Sequence, residues 1–180
     1  MPGHHTEQEL VRVHIRWMIR RDMPEVFQIE QTSFEHPWTE EDFLRHLRQR
    51  NCIGMVAELG DRILGYMVYE LHRRELRLLD LAVHPHYRRR GIGSQLLQKL
   101  VGKLTSHRRT RISAHVRETN LPAQLFLRAQ GFYAVRVLRD HFADTGEDAY
   151  LMQFTLDGDH TLENWTIPAN RISSMDSSVE

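Results

Sequence analysis

The feature that most constrains this chain is a strand, an Arg/Gly loop and a helix in immediate succession. The run Leu78 to Val83, apolar except for Asp80, reads as a strand. His84-Pro85-His86-Tyr87-Arg88-Arg89-Arg90-Gly91-Ile92-Gly93 follows as a loop, and Ser94 to Leu104 carries apolar residues at helical spacing. That order aims backbone N–H groups and the positive end of a helix dipole at one point. Such a point is an anion site, and phosphate is its usual occupant. Gly91 and Gly93 let the main chain come close to a ligand because no Cβ intervenes. Arg88, Arg89 and Arg90 add charge around it. A solvated basic turn ahead of a helix is the bland alternative.

Composition bounds the rest. A chain of 180 residues buries about 70% of its unfolded surface, enough for a sheet covered by helices on both faces. Its 24 Lys and Arg balance 24 Asp and Glu, so no overall field steers it to nucleic acid or an anionic membrane. No apolar run approaches the ~20 residues of a membrane span, and no signal-peptide core opens the chain. The single cysteine, Cys52, fits a cytoplasmic protein and reads as a packed thiol. Of twelve histidines, His84-x-His86 has no third ligand nearby, so no metal is expected. His4-His5 reads as a solvated pair, and His107 with Arg108-Arg109 as charge suited to a helix C-terminus.

The periodicities predict strands at Val11–Ile19, Ile53–Leu59, Ile63–Leu71, Leu76–Val83, Arg111–Val116, Phe132–Leu138 and Ala149–Phe154. Gly60-Asp61 signals a hairpin turn. Helices are predicted from Asp22-x-Pro24 towards Phe34, from a capping box at Thr39–Asp42 to about Gln49, from the Arg/Gly loop to about Ser106, and from Asn120 to just before Gly131. Residues 1–10 are expected to be flexible and 11–155 to form one domain. Residues 156–180 form an extension, with Trp165 and Ile167 able to dock and a serine-rich, disordered end.

Three phosphate signatures can be compared with the loop. A dinucleotide fingerprint requires glycine where Leu96 stands, and a Walker loop requires a Gly-Lys-Ser/Thr that is absent. Arg88-x-x-Gly91-x-Gly93 instead resembles the R/Q-x-x-G-x-G/A signature of the GNAT acetyltransferases. The element order β-α-α-β-β-β-α-β-α-β-β is similar to the fold of that family, an α/β (α+β) mixed sheet of about seven strands and four helices. His36-Pro37-Trp38-Thr39-x-x-x-Phe43, Val116-Arg117-Glu118-Thr119-Asn120 with Ala123 and Gly131-Phe132, and Asp144-Thr-Gly-Glu147-Asp148-Ala149 resemble segments of RimI-type ribosomal-protein-alanine N-acetyltransferases and of protein N-terminal acetyltransferases generally.

The resemblance implies acetyl-CoA as co-substrate. Main-chain groups of Leu81, Ala82 and Val83 are expected to pair with the pantetheine arm, and amides of Arg89, Arg90, Gly91, Ile92, Gly93 and Ser94 to take the pyrophosphate, with Arg88 ordering the loop. Asn120 stands where the family has a pantetheine-contacting Asn, and it reads equally as a helix N-cap. Acceptor-recognition positions fall on Phe34, Trp38, His141, Phe142 and Glu147. Trp38 and Phe142 also read as loop anchors, and His141-Phe142 stands where related enzymes often carry two tyrosines.

The catalytic positions depart from the RimI pattern. Its glutamate base is replaced by His115, and its tyrosine acid by Leu127, which has no proton to give. Near pH 7.4 a terminal α-amine, with pKa about 7.8, is roughly a quarter neutral, whereas a lysine is about one part in a thousand. A terminal amine therefore needs only a modest base, which a neutral histidine can be; packing at a strand end is the competing role for His115. Tyr133 and Tyr150 are acid candidates by residue type alone. The expected activity is acetyl transfer from acetyl-CoA to a protein N-terminal α-amine, a ribosomal protein being one candidate acceptor. The alternatives are a small amine or a lysine as acceptor, or a protein that binds CoA without catalysis; RNA binding through Tyr87–Arg90 is disfavoured by the neutral charge.

Overall fold

A computed structural model describes residues 9–106 and 109–156. The expectations for His4-His5, His107-Arg108, Trp165, Ile167 and the serine-rich end, and most of those for 1–10 and 156–180, fall outside these described residues.

Seven strands form one sheet in the order β1-β2-β3-β4-β5-β7-β6. They are β1 His14–Trp17, β2 Cys52–Leu59, β3 Arg62–Leu71, β4 Glu75–Val83, β5 Arg111–Arg117, β6 Tyr133–Phe142 and β7 Glu147–Thr155. Four helices cover it: α1 Met23–Ser33, α2 Glu40–Leu47, α3 Ile92–Ser106 and α4 Leu121–Ala129. Residues Leu96, Leu97, Leu100 and Leu104 bury one stripe of α3 on a core with Met67, Leu76, Leu78, Ile112 and Ala114. On the opposite face, Val26, Ile29 and Phe43 from α1 and α2 pack on Val56, Tyr66, Val68 and Ala82. Both layers follow from strands whose successive side chains point to opposite faces.

Two features of β4 position the site. It pairs with β5 in parallel only over Glu75–Leu78 against Arg111–Ala114; beyond these residues the strands part. Its pairing with β3 also carries a bulge, because Val68 faces Asp80 while Tyr69 faces Leu78. The extra residue, Leu79, reverses the alternation. Leu76 and Leu78 therefore face α3, whereas Ala82 lies in the layer under α1.

The periodicities miss three details. First, β1 is shorter than Val11–Ile19, because residues 11–13 bond to the Arg/Gly loop and α3 instead of the sheet. Val11 N–H donates to Arg90 O at 3.0 Å, Val13 N–H to Gln95 Oε1 at 3.2 Å, and Gln95 Nε2 to Val11 O at 2.7 Å. Second, Asp22 is the N-cap residue of α1 but makes no side-chain cap there. Its carboxylate accepts from Ile19 N–H at 2.8 Å and pairs with Arg16 at 2.7 Å. Third, the β6–β7 hairpin extends further than predicted, with Asp148 gripping Arg139 and the Asp140 N–H, at 3.0 Å. That extension carries His141 to the mouth of the gap between β4 and β5.

Candidate active site

Where β4 and β5 part, β4 offers unpaired main chain. His84 N–H donates to Leu64 O at 2.8 Å, which fixes the phase of the antiparallel β3–β4 ladder. With Tyr66 opposite Ala82 and Gly65 opposite Val83, Ala82 turns its own N–H and C=O to β3, while Leu81 and Val83 turn theirs to the open side. An extended ligand arm can add there as a strand on Leu81 and on the Val83 N–H, the Val83 carbonyl being taken by Arg88 Nε at 2.9 Å. Ala82, expected to contribute as well, is committed to the sheet.

The Arg/Gly loop closes the end of this gap. Gly91 holds φ at 78°, a conformation that disfavours any residue with a Cβ. The first α3 amide to find a helical carbonyl is Gln95 N–H, on Gly91 O at 3.1 Å. Those of Ile92, Gly93 and Ser94 precede the ladder and are the donors an anion would meet. The Ile92 side chain is buried, so only its backbone can serve a ligand. Ser94 Oγ accepts from Gln130 Nε2 at 3.0 Å. Arg88 is tied inward: Nε donates to Val83 O and Nη2 to Ser33 Oγ, both at 2.9 Å. It braces strand, loop and α1, although it is exposed, as Arg89 is. Arg90 lies 5.5 Å from the Tyr87 ring centroid. Asn120 caps α4, its Oδ1 accepting from Ala123 N–H at 3.2 Å.

Across the gap, His115 is the first β5 residue past the last β4 pairing. Its Nδ1 lies 3.0 Å from His141 Nε2, with the rings edge to face at 4.6 Å. Burial, then His141, Arg77 and Arg136, with Glu75 opposing, push the His115 pKa down to about 4. The imidazole is therefore neutral throughout the physiological range, as required of a proton acceptor. A ring this acidic when protonated cannot keep the proton it takes.

A groove of about 340 Å³ runs beside this pair, with Pro37 and Trp38 on one wall and Arg117, His141, Phe142 and Asp144 on the other. Trp38 is an anchor as well as a wall, stacked on His46 at 4.5 Å and edge-on to Phe43 at 5.1 Å. Phe34 packs into the α1–α2 core. The Arg117 guanidinium lies 3.9 Å from the Phe142 ring centroid and pairs with Asp144 at 2.6 Å and Glu147 at 3.0 Å.

Glu147, one of the expected acceptor-recognition residues, has both carboxylate oxygens occupied. One oxygen accepts from the Thr119 N–H at 3.0 Å and from its hydroxyl at 2.5 Å; the other is bound to Arg117. These bonds outweigh burial and keep its carboxyl below the usual range. Glu147 is a latch between the β5–α4 turn and the last hairpin. Sequence reasoning quoted Arg117 and Asp144 only as motif letters; their signal was opposite charge in two motifs.

Leu127 is buried in the α3–α4 core. Tyr150 packs there too, opposite Val116, and Tyr133 sits opposite Gln153, further along the sheet. Among the described residues, no group of three or more His, Cys, Asp or Glu is arranged to hold a metal ion, and no helix is long and apolar enough to cross a membrane.

A seven-stranded mixed sheet that opens at a bulged strand, with a glycine-bearing helix start at the opening, defines an acyltransferase of one fold family. The model of the acetyltransferase (GNAT) family matches residues 23–132, and the chain belongs to that family. The [ribosomal protein bS18]-alanine N-acetyltransferase of Salmonella typhimurium is 29% identical over 133 residues, covering 73% of this chain and 89% of its own. An N-alpha-acetyltransferase of Sulfurisphaera tokodaii is 29% identical over 144 residues, covering 73% and 86%. The crystal structure of Ard1 from Thermoplasma volcanium matches with a TM-score of 0.73 at 27% identity, covering 81% of this chain and 98% of that one.

Proposed function

We propose that this acetyltransferase moves the acetyl group of acetyl-CoA to the N-terminal α-amine of a protein. The observation that carries the reading is the gap between β4 and β5, with an anion cradle at one end and the neutral His115, in contact with His141, beside a peptide-sized groove. Acetyl-CoA supplies a thioester carbonyl that the amine attacks directly, with CoA leaving as a thiolate. The chain's residues fit such a donor: Leu81 and Val83 offer main chain to the pantetheine, and the Ile92–Ser94 amides face the pyrophosphate.

The amine must lose a proton, and His115 cannot hold one. Against an α-amine of pKa about 7.8, an acceptor near 4 is uphill by roughly 5 kcal/mol. The His141 contact relieves this. In the tautomer where His115 Nδ1–H donates to His141 Nε2, the His115 Nε2 lone pair receives the amine proton, directly or through water. The Nδ1 proton then crosses to His141, and the His141 Nδ1 proton leaves to solvent. Both rings end neutral in the opposite tautomer. A thiol of pKa about 8.5 leaves without a dedicated acid, in keeping with leucine at position 127.

The names of the Salmonella and Sulfurisphaera relatives support an α-amine acceptor, and the former supports alanine of a ribosomal protein as the first to test. Mass spectrometry of peptides incubated with enzyme and acetyl-CoA distinguishes the acceptors. Acetylation of a free Ala N-terminus, with none on an N-terminally blocked lysine peptide, is expected. Lysine acetylation alone would overturn the reading.

A further inference from the structure

Three polar side chains meet in the apolar layer beneath α1: Glu30, Tyr66 and Asp80, exposed by 1%, 0% and 8%. The Tyr66 hydroxyl is hydrogen-bonded to Glu30 Oε2 and lies 3.0 Å from Asp80 Oδ2. Glu30 Oε1 accepts the main-chain N–H of Trp38, on the wall of the groove. Asp80 is on β4, directly after the bulged Leu79 and before Leu81. The bonds thus run unbroken from the donor-binding strand to the acceptor loop. Around them α2 contributes Phe43, edge-on to Tyr66 at 5.8 Å, and its titratable neighbour is His46, stacked on Trp38. Neither carboxylate has a cation among the charges that perturb it.

Proton counting decides the state of this cluster. A tyrosine hydroxyl has one proton and donates to one carboxylate. Its second short contact requires a further proton, because two ionised carboxylates would leave an oxygen anion facing a lone pair in an apolar layer, at high cost. We propose that the cluster holds that extra proton at neutral pH, with Asp80 neutral and Glu30 ionised, and that it is a positioning device setting the acceptor loop against β4. Asp80 O–H donates to Tyr66, Tyr66 O–H to Glu30, and Glu30 holds the Trp38 amide. Burial raises both carboxyls above the ordinary range, Asp80 further because of Glu30's charge. For a carboxyl raised in the folded state, the stability contribution is full in acid and is lost as pH rises through the folded pKa. Stability should therefore decline towards alkaline pH, loosening the loop.

Infrared spectroscopy of the full chain in D2O at pH 7.5 tests the protonation without any activity. A carboxylic-acid C=O band is expected, and it should vanish in Asp80→Asn; a wild-type spectrum with no such band overturns the proposal. Kinetics test the positioning role, and this arm rests on the proposed acetyl transfer. Asp80→Asn supplies an N–H where the acid supplied an O–H, so the acceptor KM should stay within about twofold and its alkaline rise should flatten. Glu30→Gln weakens the hold on Trp38 and should raise the acceptor KM roughly tenfold while sparing acetyl-CoA affinity. Equal KM increases in the two variants would mean that Asp80 is charged, and would sink the assignment.

Discussion

The two sides of the gap between β4 and β5 are built in opposite ways. The proposed donor side comes from one continuous stretch, 81–94, and would work through main chain: the open edge at Leu81 and Val83, then the amides that start α3. The proposed acceptor side is assembled from Trp38, His115, Arg117, His141 and Asp144, drawn from a loop, a strand and a hairpin far apart in the chain. It would work through side chains. A backbone site tolerates exchange of almost every side chain except the glycines that shape it. A side-chain site can be rebuilt residue by residue on an unchanged frame. His115 in place of glutamate and His141-Phe142 in place of two tyrosines fall on the acceptor side, whereas Leu127 in place of tyrosine lies in the α3–α4 core.

The largest effect should come from breaking the donor side at Gly91. A valine Cβ there would come within 2.8 Å of Leu10 Cδ2. Exposed Leu10 can move away, but the φ of 78° remains hostile to a β-branched residue. The loop must reshape, and the amides of Ile92 and Gly93 lose their shared aim. Gly91→Val is expected to weaken acetyl-CoA binding by about 100-fold, close to 3 kcal/mol, while the unfolding midpoint moves by only a few degrees. Calorimetry with acetyl-CoA measures the first and thermal unfolding the second. Undiminished binding would show that the diphosphate does not sit at this helix start.

On the acceptor side, His115→Ala should lower kcat by about 10²-fold with the KM for acetyl-CoA unchanged. Its pH profile separates the half-buried histidine seen here from the ordinary one a sequence suggests. A His115 pKa near 4 leaves the ring neutral from pH 5 upward. The rising limb of kcat/KM should therefore follow the acceptor amine, near pH 7.8 for an α-amine, and shift when the amine's pKa is changed. A break near 6.5 that vanishes in His115→Ala would contradict the half-buried, neutral state.

The same division explains what could be read from the chain. Helical spacing, Gly91, Gly93 and the capping box at Thr39 are local signals, and α2 and α3 followed from them. Thr39 does accept from Asp42 N–H, at 3.2 Å. Asp22 looked like the cap of α1, yet its carboxylate is taken by Arg16, through bonds of 2.7 and 2.9 Å, and by the Ile19 N–H at 2.8 Å, before the helix begins. The His115–His141 contact was not legible, since it depends on how far the last hairpin extends, and Asp148 decides that. For Glu147, nothing local indicates that both its oxygens are taken by Thr119 and Arg117. Asp80, a lone carboxylate in an apolar run, was visible, but its partners lie on α1 and β3.

Asn120 sits where the two modes of construction meet, and it gives the smallest and most discriminating effect. Its Oδ1 caps α4, so Asn120→Ala should cost about 1 kcal/mol of stability. Serine caps equally well, and Asn120→Ser should restore that loss. Serine lacks the amide donor that an asparagine can turn to a pantetheine carbonyl. If Asn120 also serves the donor, the serine variant will unfold like the parent yet show an acetyl-CoA KM raised about fivefold, the worth of one neutral hydrogen bond. A KM equal to the parent's would make Asn120 a cap alone, and the donor side would then rest on main chain entirely.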